Sequence, residues 1–436
     1  MHDSRPHYTF IIIGNGIAGT TLARQIRKKS GESILMVSEE TPYFFSRTAL
    51  MYVFMGHLRF EETQPYEDHF WEKNDIALLQ AQVTTLIPKE NSIILASGEK
   101  ISYDTLILAT GSKPNTLPHL NNQGKAIQGF YHKWDLEKLE QWAATTQQAV
   151  VVGGGLIGVE LAEMLHSRNI EVHYLIRDTH FGAHLLPLEE GKMVTNHLKE
   201  HGIHLHLNDS LEQFIFDDAK RVQAVKTKQG INLTCQWVGL AVGVSPNVAK
   251  FKDSSVIINK GVVVDSNLKS NIDNIYAIGD CAELALPPAG RKKIEPIWYS
   301  ARAMGETLAQ TLCGNPTIYQ PGPWFNSAKF FDIEYQIYGQ VSTQPEAKKE
   351  CHMYWQHPQK NCSLRMAYDP KTMRFLGVLA LGIRLHHTLF DRWLRQEKNF
   401  TFVLEHLSEA NFDPEFTADY LNAIPFQSQW EALQNK

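Results

Sequence analysis

FIIIGNGIAG, residues 10–19, is the stretch that decides the fold of this chain. Residues 10–13 form an apolar, β-branched run, which is typical of a strand buried on both faces of a parallel sheet. The glycines that follow have the spacing G-x-G-x-x-G, which is typical of a dinucleotide-binding turn between a strand and a helix. Gly14 makes the tight turn, Gly16 lets the backbone approach a pyrophosphate, and Gly19 lets the helix pack on the strand.

The residues that follow complete a strand–helix–strand unit. Apolar residues recur at helical spacing after Gly19, and we expect the first helical residues, Ile17 and Ala18, to present free N–H groups to phosphates. A second strand at residues 34–37 ends close to Glu39, where a carboxylate would accept hydrogen bonds from a ribose diol. This order of elements predicts a dinucleotide site.

The same pattern returns in AVVVGGGLIG, residues 149–158, and is followed by a helix and a strand at residues 172–176. We expect the nucleotide contacts of this second unit to come from Gly153, Gly155, Leu156, Ile157 and Gly158. Two such units predict two bound dinucleotides, and the natural use of two is to pass electrons between them.

The end of the second unit's last strand bears on the choice of nucleotide. The position of the ribose-binding acid is occupied by Ile176 and is followed by Arg177. A carboxylate would favour NAD, whereas an arginine attracts the 2′-phosphate of NADP. NADPH is therefore slightly favoured over NADH. The alternative is a surface arginine that pairs with Asp178, and NADH stays open.

Three further motifs lie at predicted strand ends. An apolar strand at residues 103–108 ends in Ala109-Thr110-Gly111, and the second unit closes at Gly243. A strand at residues 274–278 delivers Gly279-Asp280 to its carboxyl end, where ligands of open α/β sheets bind.

In their order and spacing, these motifs resemble those of the pyridine nucleotide–disulfide oxidoreductase superfamily over roughly residues 8–330. The resemblance implies an α/β fold with two Rossmann-like dinucleotide-binding domains, the NAD(P)-binding domain being inserted in a discontinuous FAD-binding domain. A C-terminal α+β interface domain would follow. The implied boundaries are residues 1–117 and 248–324 for the FAD-binding domain, 118–247 for the NAD(P)-binding domain and 325–436 for the interface domain.

The same resemblance assigns cofactor contacts. Asp280 would bind the ribitol of FAD and Glu39 its adenosine ribose, while Thr110 and Gly111 would line the pyrophosphate side. Asp280 as a mere helix N-cap is the alternative. The full set of implied contacts is Gly14, Gly16, Ile17, Ala18, Gly19, Glu39, Arg47, Val83, Ala109, Thr110, Gly111, Gly153, Gly155, Leu156, Ile157, Gly158, Arg177, Gly243, Gly279, Asp280 and Trp298.

The branch of the superfamily follows from residues 42–50, PYFFSRTAL. No C-x₄-C pair lies there, so the redox disulfide is missing. The stretch is similar to the P-Y-x-R-x-x-L segment of ferredoxin, rubredoxin and putidaredoxin reductases and of NAD(P)H nitrite reductase flavin domains. The resemblance makes Arg47 a candidate contact near the flavin, with a surface salt bridge as the alternative.

Three residues are candidates for a role in catalysis. Relatives pair a lysine near flavin N5 with the glutamate of G-x-x-G-x-E. Here Glu160 is present but the lysine position holds Tyr52, which offers a phenol and no cation. Trp298 falls where ferredoxin reductases place an aromatic residue near the nicotinamide, although a core tryptophan is almost as good an interpretation. Cys281 follows Asp280 directly, and a packing role is expected for its lone thiol.

Composition narrows the possible binding partners and the cellular location of the protein. The formal net charge is −5 and no basic block is present, which argues against nucleic acid as a partner. No signal segment and no run of roughly 18–20 apolar residues is visible, so a cytoplasmic protein without a transmembrane segment is expected. The five cysteines are scattered, and the histidines are expected to be solvated or satisfied in the core, so no metal is expected.

The C-terminal region is predicted to hold a β-hairpin sheet backed by helices. Strands at Ser363–Tyr368 and residues 374–380 would flank a turn at residues 369–372. The tail beyond residue 385 could cover the flavin, form a homodimer contact or dock an electron acceptor.

The predicted function is an FAD-dependent NAD(P)H:acceptor oxidoreductase. A hydride from NAD(P)H would reach flavin N5, and electrons would leave to a carrier protein such as ferredoxin or rubredoxin. The alternatives are direct reduction of a small acceptor such as a quinone or oxygen, a redox-regulated flavoprotein that binds a partner, and an electron-transfer subunit of a larger complex.

Overall fold

A computed structural model of the chain describes residues 6–120, 124–413, 415, 418 and 420–434. The chain divides into two compact units. The first comprises Met1–Thr116, Gln128–Thr145 and Val242–Pro321, and the second comprises Leu117–Ile127, Thr146–Ala241 and Gly322–Lys436. In the described ranges, no helix combines the length and apolar character needed to cross a membrane.

The strands and helices of both units follow in chain order. The strands are β1 (His7–Ile13), β2 (Ile34–Ser38), β3 (Ile76–Gln80), β4 (Val83–Ile87), β5 (Ser92–Leu95), β6 (Lys100–Leu108), β7 (Ser112–Pro114), β8 (Ile127–Gln128), β9 (Gln148–Val152), β10 (Glu171–Ile176), β11 (His204–Leu207), β12 (Leu211–Phe216), β13 (Val222–Thr227), β14 (Asn232–Thr234), β15 (Trp237–Leu240), β16 (Val244–Pro246), β17 (Val262–Val264), β18 (Ile275–Ala277), β19 (Ala282–Leu284), β20 (Phe325–Phe330), β21 (Ile333–Gly339), β22 (Cys351–Gln356), β23 (Ser363–Tyr368) and β24 (Phe375–Leu381). The helices are α1 (Ile17–Arg27), α2 (Leu50–Phe54), α3 (His69–Lys73), α4 (Lys133–Ala143), α5 (Leu156–Ser167), α6 (Leu188–Glu200), α7 (Trp298–Leu312), α8 (His387–Arg395), α9 (Phe400–Glu405) and α10 (Phe426–Gln434).

A parallel sheet with the order β18–β6–β1–β2–β3 forms the centre of the first unit. The predicted strand at residues 10–13 belongs to β1, and its Ile12 pairs with Met36 on one side and Ile107 on the other. Residues 10–13 are all buried, which explains why this strand lacks alternating polarity. Strand β18 completes the sheet from a segment late in the chain, so this unit is discontinuous in sequence.

Helices α1 and α7 of the first unit pack so closely that their backbones approach each other. A Cβ atom added at Gly305 of α7 would lie 2.7 Å from the carbonyl oxygen of Ala18 in α1. Glycine is therefore needed at this crossing, because any side chain would push the two backbones apart. The contact holds α7 against the start of α1, next to the first glycine turn.

The second unit contains its own parallel sheet, in which β11, β10, β9 and β15 are successive neighbours. Residues 149–152 are buried in this sheet, as those of β1 are in the first unit. Helix α5 follows β9 and packs on both β9 and β10. The strand–turn–helix–strand order predicted for both glycine-rich segments is therefore present in the structure.

A five-stranded antiparallel sheet, β20–β21–β24–β23–β22, forms the C-terminal part of the second unit. The predicted hairpin is present as β23 and β24. Strands β20 and β21 are joined by a two-residue turn, Phe331-Asp332. The sequence did not predict this turn because Phe331 takes a φ of +57°, which bulky residues rarely adopt.

The tail beyond residue 385 packs on this antiparallel sheet. Phe390 and Trp393 of α8 and Phe400 of α9 are buried in one apolar cluster with the sheet strands. Trp430 of α10 packs edge-on against Phe400, with ring centroids 5.1 Å apart. The apolar side chains of the tail therefore complete the core of the C-terminal sheet.

Candidate functional site

The first glycine turn joins β1 to α1. At two of its glycines another part of the backbone lies so close that no side chain would fit. Gly14 has a φ of +115°, and a Cβ there would lie 2.1 Å from the carbonyl oxygen of Ala109. A Cβ on Gly19 would lie 2.1 Å from the carbonyl oxygen of Gly14. A Cβ on Gly16, in contrast, would meet no atom within 4 Å. The open space at Gly16 lies at the N-terminus of α1, where unpaired N–H groups favour an anion.

Glu39 lies just beyond β2, as the sequence predicts. Its Oε2 atom accepts hydrogen bonds from Gln82 Nε2 at 2.6 Å and from Lys250 Nζ at 2.7 Å. Burial raises the pKa of this carboxyl, but the hydrogen bonds from Lys250 and Gln82 outweigh burial and leave the pKa lowered. Glu39 is therefore held as a carboxylate, the form that accepts hydrogen bonds from hydroxyl groups.

Arg47 forms a partly buried salt bridge with Glu40. Its two terminal nitrogens contact both carboxylate oxygens of Glu40, at 3.1 and 2.7 Å. Arg47 Nη1 also donates to the carbonyl oxygen of Tyr131 at 2.6 Å, and the guanidinium lies 4.5 Å from the centroid of the Tyr131 ring. The arginine is thereby fixed in orientation by two elements of the first unit.

Glu40, which the sequence analysis did not select, is the centre of this network. Besides Arg47, it accepts a hydrogen bond from the backbone N–H of Lys133 at 2.6 Å, and His132 Nδ1 lies 3.3 Å from its Oε2. Burial raises the pKa of the carboxyl, but hydrogen bonds from His132 and Arg47 and the charge of Arg47 reverse this and lower the pKa to about 2. Only the exposed sequence neighbour Glu39 had a recognisable motif position, so no sequence signal singled out Glu40.

Asp280 lies at the carboxyl end of β18, as predicted, after Gly279 with a φ of +73°. Its Oδ2 atom accepts a hydrogen bond from Ser112 Oγ at 2.9 Å and lies 3.5 Å from the Tyr131 hydroxyl. Burial raises the pKa of Asp280 above its ordinary value, against the opposing effect of the Ser112 hydrogen bond and the Arg47 charge. Tyr131 therefore links the Arg47–Glu40 pair to Asp280, since its carbonyl oxygen accepts a hydrogen bond from Arg47 and its hydroxyl faces Asp280.

The neighbouring motif residues of the first unit have structural partners. Thr110 donates its hydroxyl hydrogen to the carbonyl oxygen of Asn247 at 2.8 Å, and a Cβ on Gly111 would lie 3.2 Å from the Tyr131 hydroxyl. Gly243 has a φ of +93° and faces Asn115, whose Nδ2 would lie 3.3 Å from a Cβ atom. Val83 begins β4 and is buried.

Three further residues of the first unit were singled out by sequence. The buried thiol of Cys281 lies 3.3 Å from the carbonyl oxygens of Leu108 and Ile278, and burial raises its pKa. A protonated, enclosed thiol agrees with the packing role expected for it. Trp298 is the first residue of α7, and Tyr52 lies in α2.

The second glycine turn repeats the geometry of the first in the second unit. Gly153 has a φ of +116°, and a Cβ on Gly158 would lie 2.2 Å from the carbonyl oxygen of Gly153. The buried hydroxyl of Tyr174 donates to the same carbonyl oxygen at 3.0 Å. Tyr174, which the sequence analysis did not select, thus supports the turn from β10, and Leu156 opens helix α5 at the turn's end.

Arg177 follows β10 directly and is largely unconstrained. Its side chain is 85% exposed, and its Nε lies 3.9 Å from Asp178 Oδ1. This long ion pair is weak in solvent, so it does not hold the guanidinium in place. The arginine is available at the strand end where the second nucleotide's ribose is expected.

Glu160 lies on α5 of the second unit, whereas Tyr52 and Trp298 belong to the first. Burial, followed by the charge of Glu163, raises the pKa of Glu160 to about 7. Glu163 itself accepts a hydrogen bond from Lys329 at 2.7 Å. The charge of Glu160 therefore changes in the neutral pH range.

Comparison with known proteins identifies the family of proteins to which these two glycine turns belong. Residues 8–305 match the family described as pyridine nucleotide-disulphide oxidoreductase. The chain belongs to this family, so the class inferred from the sequence motifs is confirmed. The family implies FAD and a pyridine nucleotide as ligands, and both glycine turns have the tight backbone approaches that dinucleotide-binding turns need.

Three curated relatives illustrate the similarity. The nitrite reductase [NAD(P)H] of Bacillus subtilis is 27% identical over 70% of this chain and 38% of its own length. The nitric oxide reductase FlRd-NAD(+) reductase of Aliivibrio fischeri is 29% identical over 77% of this chain and 87% of its own. The NADH-rubredoxin oxidoreductase of Clostridium acetobutylicum is 27% identical over 71% of this chain and 76% of its own. The chain thus spans well under half of the nitrite reductase.

Two solved structures share the fold. The ferredoxin reductase for the CYP199A2 system from Rhodopseudomonas palustris has a TM-score of 0.78 and 22% identity, over 86% of this chain and 91% of that one. The covalent putidaredoxin reductase–putidaredoxin complex gives a TM-score of 0.78 and 20% identity, over 89% and 92% of the two chains. The predicted α/β fold of the two-dinucleotide class is therefore confirmed.

The buried Glu40 network predicts an acid-dependent contribution to stability. Because the folded-state pKa is lowered to about 2, the carboxylate stabilises the fold above its ordinary pKa, and this contribution is lost as the pH falls towards 2. We expect Glu40→Gln to lower the free energy of unfolding by roughly 3 kcal/mol at neutral pH. The difference from the wild type should shrink as the pH is lowered from about 5 to about 3.

Urea unfolding followed at several pH values measures this effect. Glu306→Gln is the matched control, since Glu306 forms an exposed pair with Arg302 on α7, and it should change stability by less than about 0.5 kcal/mol. A Glu40→Gln deficit that is the same at every pH would show that the ionised carboxylate is not the source of the stabilisation.

Proposed function

We propose that this protein takes a hydride from NAD(P)H onto FAD and delivers the electrons singly to a small redox carrier protein. The observation that carries the proposal is the presence of two glycine turns with the same backbone geometry, one in each unit. Bound FAD and NAD(P)H would supply the hydride chemistry, and the protein's own residues would hold and orient the two nucleotides.

The first unit would hold FAD along its sheet edge. The N-terminus of α1 would bind the pyrophosphate through backbone N–H groups that open onto the space at Gly16. Glu39, kept ionised by Lys250 and Gln82, would accept hydrogen bonds from the adenosine ribose. Asp280 would accept from the ribitol hydroxyls, and Ser112 orients its carboxylate for this.

Arg47 would add positive charge on the flavin side of the same unit. Its guanidinium is held by both oxygens of Glu40 and by the Tyr131 carbonyl, so its orientation is set before a cofactor binds. Such preorganisation lets a charged group act without a reorganisation cost.

The second unit would hold the nicotinamide nucleotide at the N-terminus of α5. Leu156 and Ile157 are the first residues of this helix after Gly155, and the Tyr174 hydroxyl stabilises the turn by hydrogen bonds to its carbonyl oxygens. Arg177, exposed at the end of β10, would receive the 2′-phosphate of NADPH. NADPH is thus proposed as the preferred donor.

A carrier protein is the proposed acceptor because the chain lacks a dithiol relay. All five cysteines are free, and none is paired within the chain. Electrons would therefore leave directly from the flavin, which can pass them one at a time. The named relatives that reduce rubredoxin, and the reductase solved with putidaredoxin, support a protein acceptor of this kind.

A second candidate is a flavin module that feeds a larger reductase. It is favoured by the match to the nitrite reductase of Bacillus subtilis, of which this chain covers 38%. In that case the electrons would pass to a further domain or subunit that carries the terminal centre.

Anaerobic titration of the purified holoenzyme tests the proposal and separates the two candidates. We expect NADPH, and to a lesser extent NADH, to bleach the flavin, and a rubredoxin or ferredoxin to reoxidise it faster than a quinone or dioxygen does. Reoxidation only by a co-purifying haem or iron–sulfur protein would favour the module in a larger reductase. A flavin that neither nucleotide reduces would contradict the proposed hydride step.

Arg177 should determine the choice of nucleotide. Arg177→Glu replaces an attractive charge by a repulsive one at the expected 2′-phosphate position, so KM for NADPH should rise by about tenfold or more while KM for NADH changes little. Steady-state kinetics with both nucleotides measures the ratio. Lys228→Glu, an equal charge reversal at another exposed position of the second unit, is the control. Equal ratios for Arg177→Glu and wild type would remove Arg177 from the nucleotide site.

Glu160 should give flavin reduction a pH dependence near neutrality. Its pKa of about 7 means that the carboxyl is neutral below this pH and charged above it. A carboxylate stabilises the positive charge that develops on the nicotinamide, so the reduction rate should rise as the pH goes from about 6 to about 8. Stopped-flow reduction should show this rise in the wild type and a flat profile in Glu160→Gln.

Glu212→Gln provides the control, because Glu212 is exposed and paired with Lys226 on the neighbouring strand. It should retain the wild-type profile. If Glu160→Gln keeps the pH dependence, another group sets it and Glu160 is not the titrating residue.

A further inference from the structure

Two histidines and an aspartate meet in the second unit, apart from the residues assigned to nucleotide binding. His197 lies in α6, His201 is the residue that caps its C-terminal end, and Asp332 lies in the turn between β20 and β21. One ligand atom from each of the three lies within 4.8 Å of the others. His197 Nε2 contacts Asp332 Oδ1, and His201 Nε2 lies 3.7 Å from the same oxygen.

The other nitrogen of each imidazole is already engaged. His201 Nδ1 donates to the carbonyl oxygen of His197 at 3.0 Å. His197 Nδ1 lies 3.0 Å from Asn361 Nδ2, and a half-turn of this amide, which exchanges its nitrogen and oxygen, lets the oxygen accept the Nδ1 proton. These hydrogen bonds fix both rings with Nε2 directed at Asp332. Metal-bound histidines are held by the same kind of Nδ1 contact.

The hairpin turn that carries Asp332 is held in place by an aromatic ring. Phe331 has a φ of +57°, a conformation that is costly for a bulky residue and persists only where packing enforces it. Its ring centroid lies 4.8 Å from that of His201 and 6.5 Å from that of His197. Phe331 therefore covers the imidazoles on one side and positions the carboxylate at the end of α6.

We propose that His197, His201 and Asp332 bind one divalent transition-metal ion of the zinc class. Two imidazole nitrogens and one carboxylate oxygen are a donor set that suits Zn²⁺, with water in the fourth position of a tetrahedron. The metal takes the place of the proton between His197 and Asp332. The Asp332 side chain is 75% exposed, which gives the ion access from solvent.

The ion would clip the end of α6 to the β20–β21 hairpin within the second unit. The ion would thus link the predicted nucleotide-binding segment to the C-terminal sheet without taking part in electron transfer. The proposed metal site does not depend on the proposed function. No metal site was expected from the sequence. The signal was nevertheless present, since HLKEH at residues 197–201 places two histidines four residues apart on one helix face.

A second group of histidines provides a matched control. His173, His204 and His206 lie on the neighbouring strands β10 and β11. Here two ring nitrogens face each other, His173 Nδ1 and His206 Nε2, at 3.1 Å, and His204 Nε2 lies 3.3 Å from Glu171. His173 Nε2 and His204 Nε2 both lie near Glu171 Oε1, at 3.5 and 3.3 Å. Among the residues that the structure describes, however, only His197, His201 and Asp332 bring three ligand atoms within 4.8 Å of one another, so His204→Gln should leave specific metal binding intact.

The test uses the full-length holoenzyme, stripped of metal with a chelator and dialysed against ZnCl₂. Metal analysis should find one zinc per chain, and calorimetric titration should show a single specific site in the wild type and in His204→Gln. His201→Gln and Asp332→Asn should each weaken Zn²⁺ binding by at least about tenfold, and Asn361→Ala by about 10- to 100-fold. Zinc should raise the melting temperature of the wild type but not of the Asp332→Asn variant.

Three results would overturn the proposal. They are no specific zinc in the wild type, undiminished binding in both His201→Gln and Asp332→Asn, or loss of binding in His204→Gln alone. The first would mean that the cluster is an ion pair only. Flavin content and the far-UV spectrum show whether each variant is folded, and Asp332→Asn changes an exposed side chain that can be replaced without disturbing the core.

Discussion

The close approach of one backbone to another at the two glycine turns is the constraint on which the rest of the structure depends. A Cβ at Gly19 or Gly158 would lie 2.1 or 2.2 Å from a carbonyl oxygen of the same turn. With glycine there, each helix starts directly against the carboxyl end of its strand, and its free N–H groups open onto the space where phosphates bind. In the first unit the same turn also meets β6, since a Cβ at Gly14 would lie 2.1 Å from the carbonyl oxygen of Ala109, the residue after that strand.

The acids of the first unit show how position decides charge. Glu40 and Asp280 are both buried carboxyls that interact with Arg47 and Tyr131, yet their pKa values shift in opposite directions. His132, both terminal nitrogens of Arg47 and a backbone N–H contact Glu40 and overcome the effect of burial, whereas the Ser112 hydroxyl and the more distant Arg47 charge do not overcome it at Asp280. Glu40 is therefore already satisfied by protein groups, and Asp280 is the acid that gains most from a ligand's hydroxyl hydrogens.

The sequence predicted the elements that depend on local pattern and missed those that depend on distant contacts. Residues 10–13 and 149–152 were identified because strands buried on both faces have a local signature. Tyr131 was missed because it lies in a segment expected to belong to the nucleotide domain, although it packs in the first unit. The Phe331 turn was missed because a phenylalanine at positive φ contradicts its local preference and is held only by tertiary packing.

The electron path follows from what this chain keeps and what it lacks. The family's disulfide chemistry needs two cysteines in sequence beside the flavin, and the matching stretch, residues 42–50, contains none. The thiol of Cys281, next to Asp280 in sequence, is enclosed by backbone carbonyls, and burial raises its pKa, which favours the protonated form. Under the proposed function, a reduced flavin would therefore discharge to an acceptor outside this chain, because no pair of thiols is present to relay the electrons. Recognition of that acceptor would depend on the protein surface, whereas the hydride step would depend on the two glycine turns that hold the nucleotides.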